Sequence, residues 1–287
     1  MKKLAIIASS MLFAGAAAAA DMSVPVKAVV APPPPPAWDV AFGVTLTSDY
    51  VFRGISQTNN NAAVQGFVEL QFLDWFYLNV WASNQNWAEN FLGVGGSSSL
   101  EVDFSGGLRH TWGSFTLDVG GIYYAFPGNA DLLGASPDDF NYWEIYAKPS
   151  YALTDWFTVG MALNWTSDMY ASSTDGTALS VNAKAYTTSL AGSAFGAYVS
   201  GEFGHQWLDD TFFTYTPPFG VFAVGISGYN WWNVGVGVTY KAATLDLRYS
   251  GSDLNEFECA TLIGKNTACG DKFIASLSFA TSFNQLK

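Results

Sequence analysis

From Trp38 onward, large apolar residues alternate with polar or small ones. In the first such stretch Trp38, Val40, Phe42, Val44 and Leu46 share one face, and Asp39, Gly43, Thr45 and Thr47 take the other. The same rhythm sets Val64, Val68, Leu70 and Phe72 against Gln65, Glu69 and Gln71. Further along, Trp232, Val234, Val236, Val238 and Tyr240 oppose Asn233 and Thr239. A period of two is that of a strand with one wet and one apolar face. It predicts twelve strands, near 38–50, 62–73, 75–83, 99–110, 114–126, 140–151, 156–167, 179–190, 195–207, 229–241, 243–252 and 271–282.

The charges inside these segments obey the parity. The acidic ones are Asp39, Glu69, Glu101, Asp103, Asp118, Glu144, Glu202 and Asp246, and the basic ones Arg109, Lys148, Lys184, Lys241, Arg248 and Lys272; all share the polar face. Periodicity alone does not say which face points inward. Three features favour apolar outside and polar inside. Breaks alternate between one to four residues and eleven to twenty-one, as outer-membrane barrels alternate short periplasmic turns with long extracellular loops. Aromatics gather at segment ends: Trp75, Trp112, Phe115, Trp156, Phe157 and Tyr240 beside short turns, Tyr50, Trp165, Trp207 and Tyr249 beside long ones, where interfacial girdles would lie. An even strand number and 28 glycines suit a closed sheet. The expected fold is therefore all-β: a transmembrane antiparallel barrel of the outer-membrane type with about 12 strands. Strands of about ten residues, each rising roughly 3.3 Å, cross the ~25 Å apolar band when tilted.

Composition agrees. The 287 residues are 49% hydrophobic but only 13% charged, about half the charge of an ordinary soluble domain. A net charge of -12 argues against nucleic acid, which demands clustered Lys and Arg. Two Cys and two His leave no ligand set for a structural zinc or an iron–sulfur centre, so no metal site or cofactor is expected. Lys2 and Lys3, the apolar run Leu4–Ala14 and Ala18-Ala19-Ala20 have the order of a secretory signal peptide over 1–20. Residues 21–37, which include Pro32 to Pro36, read as an extended periplasmic linker, and 38–287 as the barrel.

The run Ser48-Asp49-Tyr50, Phe52-Arg53-Gly54, Ser56-Gln57-Thr58 and Ala63-Val64-Gln65-Gly66 resembles the opening of the TorF-type porins of proteobacteria, also catalogued as uncharacterised proteins. Beyond residues 48–66 the likeness is mainly strand rhythm over 38–283. The resemblance implies an outer-membrane barrel with pore activity and no particular substrate. The chain departs from many such barrels in running past Phe283 to Lys287, so the assembly machinery is expected to read Phe279 or Phe283 internally.

The lumen candidates are Glu69, Glu101, Asp103, Arg109, Asp118, Glu144, Lys148, Lys184, Glu202, Lys241, Asp246, Arg248 and Lys272. Arg53 has two readings. It folds into the lumen and pairs with Asp49 or a wall carboxylate such as Glu69, forming part of a constriction; or it anchors the first loop, which we prefer because sequence does not fix a loop's direction. Cys259 and Cys269 are expected to pair with each other. His110 and His205 fall on the lipid-facing parity, and no Gly-x-Ser-x-Gly turn accompanies them, so no catalytic residue is assigned. The apolar stretch 211–228 is expected to fold back as a lid or lie on the membrane surface.

These features predict passive diffusion of small hydrophilic solutes or ions through a narrow pore. The alternatives are a non-transporting structural or adhesive barrel and, further off, a lipid-modifying enzyme. Expected partners are outer-membrane lipids, lipopolysaccharide and the assembly machinery. Asp49, Glu89, Asp131, Asp138, Asp139, Asp168, Asp175, Asp209, Asp210, Asp253, Glu256, Glu258 and Asp271 lie in the long connections against Arg53 and Lys265 alone. One acidic mouth predicts a modest cation preference.

Overall fold

The computed structural model describes residues 37–87, 98–128, 140–169, 174–209, 212–215 and 222–286. The signal peptide, nearly all of the linker, and the loop acids Glu89, Asp131, Asp138, Asp139 and Asp210 lie outside them. Twelve strands close into a barrel: β1 (Trp38–Thr47), β4 (Ala63–Phe72), β5 (Phe76–Asn84), β6 (Leu100–Trp112), β7 (Phe115–Ala125), β8 (Tyr142–Thr154), β9 (Phe157–Thr166), β10 (Gly176–Thr187), β11 (Gly196–Leu208), β14 (Gly228–Tyr240), β15 (Ala243–Ser252) and β16 (Lys272–Ser282). Each pairs antiparallel with its neighbour in sequence order, and β1 pairs with both β4 and β16 to close the ring. Closure satisfies every strand's ladder and leaves no edge, the condition for backbone to survive in lipid. Among the described residues no helix is long and apolar enough to cross a membrane.

The barrel is apolar outside and polar inside. Glu69, Glu101, Asp103, Asp118, Glu144 and Arg248 are buried, whereas Val68, Leu100, Phe104, Ile145 and Leu247, which alternate with them, are exposed. Aromatics mark both rims on the outer wall. At the short-turn end Trp75 stacks on His110, centroids 3.9 Å apart, with Trp112 edge-on at 5.6 Å. At the long-loop end Trp143 meets Trp165, and His205 meets Trp207.

Three details depart from the periodicity. Lys241 lies in the two-residue turn after β14, exposed and at positive φ, so it is a turn residue and not part of the lumen wall. β10 ends at Thr187, three residues early, and residues 188–195 form a longer connection. There Thr187, Ser189 and Ser193 hydroxyls bond nearby backbone, the local competition that ends a ladder. Tyr50 does not join a girdle. It points inward and is 1% exposed.

The interior of the long-loop end is an apolar core. Tyr50, Phe52 and Ile55 from the first connection pack with Trp81, Tyr124, Tyr142 and Trp231 of the wall and with Leu262 and Ile263. The last two belong to α1 (Glu256–Ile263), which is capped by Asn255 and Glu258 at its start and Gly264 at its end. Cys259 is bonded to Cys269. The disulfide-closed segment backs onto the first connection: Ser56 N–H donates to the Ala268 carbonyl at 2.8 Å, and Lys265 to that of Asn59. Of the 211–228 stretch, the described part is a small antiparallel pair, β12 (Phe212–Tyr215) with β13 (Phe222–Gly225), and residues 226–228; the lid expectation otherwise falls outside the described residues.

Candidate functional site

The lumen carries three side-chain clusters. The first is built on the short strands β2 (Val51–Phe52) and β3 (Ile55–Ser56), a hairpin turned by Arg53 and Gly54. Both turn residues have positive φ, 45° and 81°, which fits the mirror-image turn that tight hairpins prefer. An arginine seldom accepts that region, and here its side chain is held at the far end. Both terminal nitrogens of Arg53 donate to Glu144 of β8, at 2.9 and 2.8 Å, and one also to Gln206 of β11 at 2.8 Å. Glu144 takes further bonds from Tyr124 and Asn164. The guanidinium also lies 4.6 Å from the Phe52 ring centroid. Burial alone would lower the Arg53 pKa, but the Glu144 carboxylate and its hydrogen bond, together with Tyr124 and Tyr142, outweigh this and raise it.

On the opposite side of the turn, Gly54 touches β14 and β15. A Cβ there would lie 2.7 Å from the Gly251 carbonyl oxygen and 3.0 Å from the Trp231 Cβ. The hairpin turn thus packs within the barrel, Arg53 bonded to β8 and β11 and Gly54 close against β14 and β15. Its base is tied by Asp49, which accepts from the Ser56 and Thr58 hydroxyls at 2.6 and 2.8 Å. Asp49 was expected at the acidic mouth and is instead buried. Burial raises its pKa despite those two bonds and the charge of Lys272. Arg53 therefore anchors the first loop and also occupies the lumen, but its carboxylate partner is Glu144, not Asp49 or Glu69.

Gly54→Val is expected to undock this hairpin. Strain at φ 81° plus displacement of Gly251 and Trp231 opposes docking by about 2 kcal/mol, roughly a thirtyfold rise in the undocked population. The readout is trypsin cleavage after Arg53, slow in the parent and fast in the variant. Equal rates would show that the hairpin is not packed as described.

The second cluster joins β4, β5, β6, β7 and β8. Arg109 bonds both Glu69 oxygens, at 3.1 and 3.4 Å, and Asp118 at 3.0 Å. Its guanidinium covers the Tyr77 ring at 4.2 Å. The Tyr77 hydroxyl donates to Asp118 and meets that of Tyr146, over whose ring Lys148 sits at 4.0 Å. The third joins β10, β11, β14 and β15. Arg248 bonds both Asp246 oxygens, Asn233 and Ser200. Tyr198 donates to Asp246, and Asn233 to Glu202. Lys184 stands over the Tyr198 ring at 4.4 Å. Lys272 bonds the Ala268 carbonyl in the last connection.

Glu101 and Asp103 lie on β6 at the long-loop end, below the hairpin, with Tyr50 donating to Glu101 at 3.0 Å. The residues that reading by charge overlooked are the inward tyrosines Tyr77, Tyr124, Tyr146 and Tyr198 and the amides Gln206 and Asn233. They share the parity of the charges, so the signal was present. Ranking faces by apolarity hid it, because a tyrosine packs like a hydrophobe and bonds through its tip.

His205 is on the outer wall and bonds Asn230 at 2.8 Å, which is bonded in turn to Asp253. Its described contacts include no hydroxyl or thiol, the nucleophile a hydrolase requires.

A closed inside-out barrel with a charged lumen and an inward first loop defines the class: a transmembrane β-barrel of the outer-membrane type. The chain belongs to the Gcw_chp family, bacterial proteins of unknown function, whose model matches residues 33–278. No curated protein matches it in sequence. Among solved structures it is similar to the NanC porin (8% identity, 85% of this chain and 98% of that one, TM-score 0.48). It is also similar to the KdgM porin (8%, 84% and 98%, 0.46) and to the COG4313 outer membrane channel from Pseudomonas putida F1 (14%, 86% and 96%, 0.40).

Proposed function

We propose that the protein is a channel of the bacterial outer membrane, exported by its N-terminal signal, for passive diffusion of small hydrophilic solutes or ions. The observation that carries this is the ion-paired lumen wall. A barrel serving only as a scaffold gains nothing from placing Glu69, Arg109, Asp118, Asp246 and Arg248 inside, since apolar packing replaces buried ion pairs without loss of stability. The two clusters away from the hairpin keep half-buried charges, Lys148, Lys184, Glu202 and Asp246, along the path a solute would take. The resemblance of residues 48–66 to TorF-type porins supports the same reading. The first-loop hairpin packs inside the long-loop end, and on this reading conduction requires its displacement.

That inward packing also favours a second reading, a non-transporting envelope barrel. Planar-bilayer recording separates the two: discrete conductance steps support the channel, and their absence at every voltage, in the parent and with the hairpin released, supports the scaffold. We further propose a modest cation preference, from the surplus of acids in the long connections. Across a tenfold KCl gradient the reversal potential should carry the sign of cation selectivity and shrink as salt is raised, because screening acts over about 10 Å at 0.1 M. A potential near zero, or of anion sign, defeats this part.

A further inference from the structure

Glu101 and Asp103 are neighbours on the inner face of β6, both buried, with Asp103 1% exposed. They stand two residues apart on one strand, so their side chains project to the same side. Tyr50 donates to one oxygen of Glu101. Neither oxygen of Asp103 has a hydrogen-bond partner, although both are sealed from solvent. The cations nearby are turned elsewhere. Arg53 spends both terminal nitrogens on Glu144, and Lys148 sits on the Tyr146 ring, opposite Asp118 in register. Two adjoining carboxylates with no counter-charge are among the costliest groups to bury. Something positive belongs between them.

We propose that Glu101 and Asp103 form a binding site for one hard divalent cation, held behind the first-loop hairpin. The donors are all oxygen, which selects calcium or magnesium over softer ions. A charge of two neutralises the pair, which a single proton does only by half. Tyr50 is placed to orient Glu101 from the loop side. With two carboxylates and otherwise neutral ligands, the affinity belongs in the weak range of extracellular calcium sites, about 10⁻⁴–10⁻³ M. The inference is independent of conduction, because it is read from binding.

The experiment uses the purified full-length mature barrel in detergent, stripped with EDTA. Terbium is the probe, excited through Tyr50 and Trp81, whose rings are 5.3 Å apart. The expected result is saturable one-site luminescence displaced by calcium, with affinity weakened about tenfold or more in Asp103→Asn and Glu101→Gln. Glu256→Gln, on the exposed start of α1, leaves it unchanged. Thermal unfolding gives a second readout. Calcium raises the parent's midpoint at constant ionic strength, since a ligand of the folded state stabilises it. Asp103→Asn, relieved of one charge, unfolds later than the parent in EDTA and needs about tenfold more calcium for the same rise. No saturable signal, an unchanged affinity in both variants, or a parent midpoint indifferent to calcium overturns the proposal and leaves the pair sharing a proton. Should either variant fail to fold, the parent's calcium response alone decides.

Discussion

Replacing Arg53 by alanine is expected to turn a barrel that conducts little into one with long open steps of several-fold larger conductance. The change leaves Glu144, 1% exposed, without the cation that bonds both its oxygens. Breaking one side of a buried pair costs about 3–5 kcal/mol. The Arg53 side chain is only 9% exposed, so solvent screening discounts this little. The barrel itself is held by its closed ladder, and the strain therefore falls on the hairpin, whose other ties are the Gly54 contact, the Asp49 knot, the packing of Tyr50, Phe52 and Ile55, and the Ser56 bond to the Ala268 carbonyl. Undocking lets water reach Glu144 and opens the mouth. Glu144→Gln should act in the same direction. The double variant Arg53→Met with Glu144→Met should stay closed, because packed apolar residues replace a buried pair at little cost. Equal single-channel conductance in Arg53→Ala and the parent would mean the hairpin is no gate.

The largest effect on the barrel wall is expected at Arg109. Its removal leaves Glu69 and Asp118 facing each other without the guanidinium that bridges them at 3.0–3.4 Å, and strips the cover from Tyr77. Asp118 keeps the Tyr77 hydroxyl and has Lys148 opposite it, and Glu69 keeps Gln71, so the loss falls at the lower end of the range for a broken buried pair, about 3 kcal/mol. For a chain of this size that lowers the unfolding midpoint by about 10 °C, read as the temperature at which the folded band on a gel gives way to the unfolded one. Arg109→Lys should rescue only part, since an ammonium cannot make the forked contact with two acids at once. Adding Glu69→Gln and Asp118→Asn to Arg109→Ala should recover most of the loss. A midpoint within a degree or two of the parent's would show that the cluster is solvated and adds little stability.

Both expectations rest on residues whose inward direction was legible beforehand and whose partners were not. Parity alone places Arg109, Glu69 and Asp118 on one face, because a strand's side chains alternate whatever surrounds them. That they touch follows from β4, β5, β6 and β7 lying side by side, with Arg109 opposite Asp118 in register. Arg53 shows the limit more sharply. Its own strands are two residues long, and its partner is ninety-one positions away. Nothing local to a loop encodes such a distance. Asp49 and Tyr50 misled for the same reason: an acid in a long connection is ordinarily wet, and an aromatic at a strand end ordinarily faces lipid, unless the loop turns inward. Lys241 shows a smaller error, since parity carried one residue too far runs into a turn.

The sequence by itself determined the inside-out barrel, its twelve strands and the inward direction of its strand charges, because these depend on local periodicity and on break lengths. Only the tertiary structure decided that the first loop fills the long-loop end, that Arg53 meets Glu144, that the disulfide-closed segment braces the hairpin from behind, and that Glu101 and Asp103 are sealed together beneath it. Those are contacts between distant segments. They exist because closing the sheet creates an interior, and loop residues that are apolar or complementary in charge lower their free energy by entering it.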